Sequence, residues 1–126
     1  MFTVKIREHI MIAHSLKSEA FGPAQQLHGA TYVVDASFQS KGLNEHNIVI
    51  DIDIASKVLK KVLAPLNYKN LDELPEFKDK LTTTEFLAQY IHQEICKEVK
   101  GKFTGFLKVC LGESHIAWAS YEAATS

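Results

Sequence analysis

Apolar and polar residues alternate over two long stretches in the first third of the chain. Every even position in 30–38 is apolar, and the odd positions are polar except Val33. The same alternation begins at the first residues and continues into a more apolar run that His14 closes. A period of two is typical of a strand with one face on a core and one face nearer water. The pattern predicts strands over about 2–14 and 29–39 that pair as an antiparallel hairpin.

Apolar residues in the middle of the chain recur at helical spacing in two segments. The first stripe consists of Ile54, Val58, Leu59, Val62 and Leu63. The second stripe consists of Phe86, Leu87, Tyr90, Ile91 and Ile95. Asp53 is the predicted N-cap of the first helix, which Pro65 ends. Thr82 and Glu85 fit a capping box at the start of the second helix, which Gly101 ends.

Two further apolar segments follow the second helix and complete the pattern. They predict strands over 106–111 and 115–121, joined by a tight link at 112–114 and followed by a frayed tail at 122–126. The order ββααββ predicts an α+β fold in a single domain over 1–126. Its core is a four-stranded antiparallel sheet with two helices on one face.

The other face of this sheet has no helix to cover it. We place residues such as Tyr32 or Val33 on that face. An uncovered face together with two long outer strands favours pairing between the sheet edges of different subunits. The pattern therefore predicts a homo-oligomer.

Composition and charge exclude several classes of partner. The net charge of -1 and the pI of about 6.6 leave no basic surface for nucleic acid. No apolar run reaches the ~18 residues of a membrane helix, and charges throughout 1–8 argue against a signal peptide. Cys96 and Cys110 form no CxxC pair, so we expect buried free thiols in a protein of the reducing cytoplasm.

Six short motifs stand in order on these elements. They are Ala13-His14, His28-Gly29-Ala30, Asp51, Leu66 to Asp72, Thr83-Thr84-Glu85 and Glu113. With them the chain resembles the 6-pyruvoyltetrahydropterin synthase / 6-carboxytetrahydropterin synthase family of the tunnelling-fold (T-fold) superfamily over about 2–121. The resemblance implies a T-fold lyase that acts on pterins. It also implies zinc bound by three histidines, and sites between the subunits of a hexamer built as two stacked trimers.

The chain departs from the family pattern at four positions. Ala30 stands where the family has its third zinc histidine, and Ala24 stands where it has a cysteine. Asn67 and Tyr68 replace the aspartate and histidine that complete the family's proton-transfer triad. The resemblance therefore implies that chemistry by the family route is weak or absent, whereas the pterin anchor is retained.

Glu113 is the residue that the resemblance assigns to the pterin. A pterin presents its 2-amino group and a ring N–H side by side, and a carboxylate can accept both in a charge-assisted pair. Without the resemblance, the sequence indicates only that Glu113 is a solvent-exposed carboxylate in a turn. Thr83 and Thr84 lie at a helix start, where unpaired backbone N–H groups can bind ring oxygens. Glu85 either serves the ligand or only completes the capping box.

Histidines supply the remaining candidate chemistry. His14 and His28 end neighbouring strands and are either a weakened zinc site or polar pocket residues without metal. His115 or Glu19 is a candidate third ligand. On an extended chain His115 points to the same side as Glu113, so it is a candidate acid or base, and Tyr68 is a candidate proton donor. Each of the two also has a structural alternative. For His115 it is a hydrogen-bonded histidine at the start of a strand, and for Tyr68 it is simple packing. The remaining histidines, His9, His46 and His92, we interpret as surface or structural.

Three functions remain open at this point. The first is a divergent enzyme with lyase or aldolase chemistry on the C6 side chain of a dihydropterin. The second is a catalytically inactive pterin-binding carrier or regulatory oligomer, and the third is a scaffold without a small-molecule role. The three histidines His14, His28 and His115 favour the enzyme, because a carrier does not need so much titratable chemistry.

Overall fold

The computed structural model describes residues 1–126 and contains five strands and two α-helices. The strands are β1 (Phe2–His14), β2 (His28–Ser40), β3 (Lys69–Asn70), β4 (Phe106–Ser114) and β5 (Ala117–Ala124). The α-helices are α1 (Ile52–Leu63) and α2 (Thr84–Val99), and short 3₁₀ turns occupy Glu19–Gln25, Leu71–Glu73 and Pro75–Phe77. The five strands form one sheet in the order β3-β1-β2-β4-β5. Neither α1 nor α2 combines the length and the apolar character that a membrane crossing requires.

The sheet is mixed and five-stranded, so the predicted four-stranded antiparallel sheet is wrong in this detail. β3 runs parallel to β1, with Ile12 and Ala13 opposite its two residues. The connection after α1 reaches the sheet because the Tyr68 N–H donates to the Met11 carbonyl at 2.7 Å. The α+β class is confirmed, and every other strand pair is antiparallel.

The β1–β2 hairpin determines the geometry at one end of the molecule. Its register is unbroken from Phe2 opposite Ser40 to His14 opposite His28. The predicted hairpin is confirmed. Because residues directly opposite in a ladder point to the same face, His14 and His28 are brought side by side.

The core lies between the sheet and the two helices and contains 24 buried hydrophobic residues. Tyr32 belongs to this core and is 1% exposed, so its predicted place on the uncovered face is wrong. The reason is the alternation itself, because Tyr32 shares its face with the buried Val34 and Ala36. The open face instead carries polar contacts such as the two-bond ion pair between Arg7 and Asp35.

Both helix caps lie away from their predicted residues. Asp51, and not Asp53, caps α1, and its carboxylate accepts from the backbone N–H groups of Asp53 and Ile54. Thr83 caps α2, and its hydroxyl accepts from the Phe86 N–H at 3.1 Å. The predicted Thr82–Glu85 capping box is therefore wrong. Any of the three consecutive threonines is a suitable N-cap residue, and the hydrogen bond of Thr82 to His14 leaves the cap to Thr83.

Replacing Asp51 with alanine is expected to lower the free energy of unfolding by about 1 kcal/mol, the usual cost of losing a side-chain N-cap. Asp53→Ala is the matched control, because Asp53 makes only an exposed ion pair with Lys57. Urea denaturation of both variants measures the difference. Equal losses in the two variants would contradict the assignment of Asp51 as the cap.

The end of the chain is more ordered than its sequence indicates. The predicted link at 112–114 belongs to β4, and only residues 115 and 116 form the turn. β5 continues to Ala124, so the predicted frayed tail is wrong. The Thr125 N–H donates to the Gly105 carbonyl at 2.9 Å, which fastens the tail to the start of β4.

His92, for which the sequence left a surface or a structural role open, is buried in α2. Its Nε2–H donates to the Leu107 carbonyl at 2.9 Å and lies 3.3 Å from the Ala123 carbonyl. The ring also packs edge to face against Tyr121. His92 therefore connects α2 to β4 and β5, which is the structural role that the sequence left open.

Candidate functional site

A cluster of polar side chains lies where β1, β2 and β4 meet the start of α2. The hairpin supplies His14 and His28, β4 supplies Glu113, and the segment before α2 supplies Thr82 and Thr84. These five residues are named the site cluster below. Four of them belong to the family motifs and Thr82 flanks one, so the fold brings separate motifs to one place.

The two histidines of the cluster are in direct contact. Their ring centroids are 4.7 Å apart and their planes are 64° from parallel. His28 Nδ1 lies 2.8 Å from the Gln26 carbonyl, and a carbonyl can only accept, so Nδ1 carries the hydrogen. In the neutral ring the Nε2 atom of His28 therefore has its lone pair free for a ligand.

His14 is buried and lies 2.9 Å through Nδ1 from the Thr82 hydroxyl. Burial lowers the pKa of His14, and the neighbouring His28 lowers it further. Asp72, the Thr82 backbone and Glu113 act in the opposite direction without reversing the shift. Because the pKa lies below its usual value of 6.5, His14 is neutral at pH 7.

Three consecutive threonines before and at the start of α2 have three separate roles. Thr82 is buried and holds His14, Thr83 caps the helix, and Thr84 faces the Glu113 carboxylate at 3.4 Å. The three roles are possible because the chain leaves the loop and enters the helix here, so successive side chains point in different directions.

Glu113 is exposed in the single protomer, and its Oε2 accepts from the Thr84 hydroxyl. Its other oxygen, Oε1, has no protein partner. Glu113 also lies near enough to His14 and Tyr32 for its charge to raise the pKa of both. The carboxylate therefore lies beside the start of α2, with one oxygen available.

Three residues predicted from the sequence lie outside the cluster. His115 is exposed in the turn between β4 and β5, and a shift in register between Gly112 and Ser114 breaks the regular alternation. The argument that it shares a side with Glu113 therefore fails. Tyr68 is 78% exposed, has a φ of 61° and lies beside the free edge of the sheet. Glu85 is exposed in the first turn of α2.

The side chains present do not fit a catalytic zinc ion. Such a site needs three protein ligands, and His14 and His28 supply only two. Ala30 carries no donor atom, and Glu19 lies in the exposed 3₁₀ turn of the 15–26 loop. No group of three or more histidine, cysteine, aspartate or glutamate side chains in the structure is placed to hold a metal.

The largest cavities of the protomer lie away from the site cluster. One of about 540 Å³ lies between the start of β1 and the start of α1, and one of about 430 Å³ is lined by Ser15, Lys17 and Asp72 among others. The Ser15 hydroxyl donates to Asp72 at 2.5 Å, which fixes the chain just after His14. Neither cavity contains a cluster residue. Within the cluster His14, Thr82 and Thr84 are buried, whereas Glu113 is exposed.

Two residues in this region were missed in the sequence. Thr82 was assigned to a cap, and Tyr32 was assigned to the open sheet face. Their signals were present, since Tyr32 belongs to the even positions of β2 and Thr82 begins the threonine triplet. The pairing of β2 with β1 and β4 places Tyr32 near the motif residues, and the hydrogen bond to His14 places Thr82 there.

Fold and site together define the class of protein: a T-fold domain that brings motif residues from separate strands to the start of one helix. The chain belongs to the 6-pyruvoyl tetrahydropterin synthase family, whose model matches residues 3–124. The family resemblance found in the motifs is thereby confirmed.

Relatives and solved structures agree with this membership. A 6-pyruvoyl tetrahydrobiopterin synthase from Dictyostelium discoideum is 30% identical over 82 residues, which are 64% of this chain and 61% of that protein. One from Poecilia reticulata is 35% identical over 72 residues, 56% of this chain and 49% of that protein. The matches thus span about three fifths and one half of these relatives.

The fold is shared with solved members of the family. The Caenorhabditis elegans 6-pyruvoyl tetrahydropterin synthase superposes with a TM-score of 0.84 at 22% identity, over 97% of this chain and 95% of that chain. The Plasmodium falciparum enzyme superposes with a TM-score of 0.78 at 19% identity, over 98% of both chains. At these identities the likeness establishes the fold alone.

Proposed function

We propose that this protein is a pterin-binding enzyme that acts on the C6 side chain of a dihydropterin by lyase or aldolase chemistry. The observation that carries this proposal is the Glu113 carboxylate, held at the start of α2 by Thr84 with its Oε1 atom free. Family membership supports the pterin, because the matching family and its relatives are named for pterin synthases.

Recognition of the ring follows from the chemistry of the carboxylate. Glu113 accepts the 2-amino group and the neighbouring ring N–H of the pterin as a charge-assisted pair. Unpaired backbone N–H groups near Thr83 and Thr84, together with the Thr84 hydroxyl, bind oxygen or nitrogen acceptors of the ring. Glu85, in the first turn of the helix, is a further candidate for the ligand. Its capping role is removed, because Thr83 caps α2 with its own hydroxyl.

Proton transfer in this proposal belongs to the histidines. His28 offers a free Nε2, and the buried His14 beside it is neutral at pH 7, so the pair can accept a proton from the C6 side chain. We retain His115 and Tyr68 as candidate acids or bases supplied from a second copy, because both are exposed near the edges of the sheet. No step passes through zinc, because the donor set does not fit it.

We further propose that the protein works as a homo-oligomer, a hexamer of two stacked trimers. β5 is an outer strand with no partner on one side, and the opposite edge of β1 is paired only at Ile12 and Ala13. Two such free edges favour pairing between copies. A neighbouring copy then covers the exposed Glu113 of the site cluster. The free thiols of Cys96 and Cys110 agree with a cytoplasmic location.

A pterin-binding carrier or regulatory oligomer without catalysis is the second candidate function. Alanine at positions 24 and 30 and tyrosine at position 68 favour it, because these are the positions where the family pattern has catalytic or metal-binding residues. Both functions share the Glu113 anchor. They differ in whether the histidine pair catalyses a reaction of the bound pterin.

Calorimetric titration with a pterin and with a lumazine, which lacks the 2-amino group, tests the proposal. We expect the pterin to bind at least ~100-fold more tightly, because a site built to pair with an N–H group rejects the analogue that lacks it. Equal affinity for the two rings would contradict the anchor. Incubation with dihydropterins carrying different C6 side chains then separates the functions: turnover that falls in His28→Ala supports the enzyme, and tight binding without turnover supports the carrier.

A further inference from the structure

We infer that Trp118 is a positioning residue, whose indole lies on Gly112 and holds the β-bulge that presents the Glu113 carboxylate to the ligand. This inference rests on the proposed role of Glu113 in binding a pterin. Trp118 acts on Glu113 through the backbone of β4, and no contact between the indole and the pterin is required.

Glu113 is the extra residue of a bulge between β4 and β5. Gly112 lies opposite Trp118, and the next paired residue of β4 is Ser114, opposite Ala117. The pairing of β4 with β2 also ends at Gly112. Glu113 is therefore the one residue of β4 that has a partner on neither neighbouring strand. Because a bulge re-aims the side chain next to it, whatever holds the bulge also holds the direction of the carboxylate.

The indole of Trp118 lies directly on Gly112. A Cβ atom at position 112 would lie 3.1 Å from both Cδ1 and Nε1 of the indole, closer than Cβ atoms normally approach their neighbours. Gly112 has no positive φ, so a glycine is needed here for space and not for backbone conformation. Gly112 is buried, whereas Trp118 is 63% exposed. The indole therefore covers the glycine from the outside of the sheet.

The indole and the carboxylate lie on opposite sides of the sheet. Gly112 is opposite Val33, which points away from the helices because its neighbour Val34 is buried in the core. Trp118 shares this outer face, because it pairs directly with Gly112. The Glu113 carboxylate instead contacts the start of α2. The effect of the indole on the carboxylate must therefore pass through the backbone of β4.

Without its cover, Gly112 would be a weak point of the ladder. A glycine within a strand has no side chain to pack and has the largest backbone freedom of any residue. An aromatic side chain laid across it from the neighbouring strand restores the packing and fixes the register. Gly112 directly precedes the bulged residue. The Trp118 contact thus restricts the backbone at Gly112 and, with it, the direction in which Glu113 presents its free Oε1.

The restriction has a consequence for recognition. A ligand with two adjacent N–H donors needs both carboxylate oxygens in a fixed plane, whereas a ligand with one donor does not. Trp118 is therefore expected to matter more for the binding of pterin than for the binding of lumazine, although it lies on the other side of the sheet.

The test is a double-mutant cycle on pterin affinity with Trp118→Ala, Gly112→Ala and the combination. We expect each single change to weaken pterin binding about fivefold, the first by removing the indole and the second by pushing it off β4. The combination is expected to bind no more weakly than the weaker single variant, because the added methyl group then has no indole to displace. Its other neighbour, Val33, is at an ordinary contact distance of 3.6 Å. Lumazine affinity is expected to change less than twofold.

Three further variants complete the test. Trp118→Phe keeps an aromatic ring on the glycine and is expected to bind pterin within twofold of the wild type. Gly42→Ala is the matched glycine control, because no atom lies within 4 Å of a Cβ at that position. Phe106→Ala removes an aromatic ring from the same face at the other end of β4, and both controls are expected to keep full affinity.

Three results of the titrations would overturn the inference. They are full pterin affinity in Trp118→Ala, additive losses in the double variant, and equal losses for pterin and lumazine. The last result would mean that the change damages the site or the assembly as a whole and not the direction of the Glu113 carboxylate.

Measurements without ligand keep the inference separate from the proposed function. Trp118 is the only tryptophan of the chain, so intrinsic fluorescence reports on this indole alone. We expect the emission of ligand-free Gly112→Ala to shift to longer wavelength, because the indole moves off the backbone into water. NMR contacts between Ser114 and Ala117 report the bulge register, and we expect them to weaken in ligand-free Trp118→Ala.

The two sets of measurements distinguish two kinds of failure. If Glu113→Gln loses pterin binding while Trp118→Ala keeps both its affinity and its bulge register, only the positioning role fails. If the wild type binds no pterin but the bulge register is lost in Trp118→Ala, the proposed function fails and the indole still holds the bulge.

Discussion

Glu113→Gln is expected to weaken pterin binding by about 100-fold. The glutamine amide has one acceptor oxygen and one NH₂ group, so it can accept only one of the two ligand hydrogens and opposes the other with its own donor. Loss of a charge-assisted bond costs roughly 1.5–3 kcal/mol, and a tenfold change in affinity corresponds to about 1.4 kcal/mol. Calorimetric titration of pterin into the variant measures the change.

Glu122→Gln is the matched control for this experiment. Glu122 is an exposed carboxylate on β5 opposite Lys108, away from the site cluster. It is expected to bind pterin as the wild type does, and both variants are expected to melt near the wild-type temperature because the replaced side chains are exposed. A Glu113→Gln variant with unchanged affinity would remove the basis of both proposed functions, since each depends on this anchor.

Ala30→His is expected to raise the zinc affinity of the His14–His28 pair by adding a third ligand. Position 30 lies two residues beyond His28 on the same face of β2 and opposite Ile12, one step from the His14–His28 pair. An imidazole there supplies the third ligand that a catalytic zinc site requires. We expect zinc affinity to rise by about 100-fold or more, and competition with a chromophoric chelator measures it.

Thr31→His supplies the control, because position 31 is exposed and points to the opposite face of the sheet. It adds the same side chain to the same strand and is expected to leave zinc affinity unchanged. Zinc bound by the wild type as tightly as by Ala30→His would contradict the two-ligand description. A neighbouring copy would then have to supply the missing donor, and the mechanism would need to include the metal.

Patterns with a period of two were the most informative part of the sequence. The even positions of 30–38 predicted both the second strand and its buried face, and the hairpin with the first strand was confirmed. Assigning Tyr32 to the open face contradicted that same alternation. Tyr32 occupies an even position, on the same face as the buried Val34 and Ala36.

Features that depend on tertiary contacts could not be predicted from the sequence. β3 is only two residues long and forms because the segment after α1 passes beside β1. The position of His115 depends on a register shift near Gly112 that no local pattern signals. His92 looked polar and peripheral, but two backbone carbonyls on neighbouring strands satisfy its ring nitrogen and allow burial.

The candidate site was predicted in its residues more than in its arrangement. His14, His28, Glu113 and Thr84 meet as the motifs implied, whereas Tyr68 and His115 lie outside the cluster of one protomer. The difference has a physical cause. The first group is fixed by contacts within the chain, and the second group lies near the edges of the sheet, where few contacts of the chain fix a side chain.

The threonine triplet before α2 restricts how this protein can diverge. Because adjacent residues hold His14, cap the helix and hold Glu113, their roles depend on chain length as well as on residue type. The exposed loop between Phe77 and Thr82 can accommodate the deletion or insertion of one residue. An insertion or deletion within the triplet would instead move each threonine out of the position that its role requires. Gene lineages that keep the site are therefore expected to vary this segment by substitution and not by length.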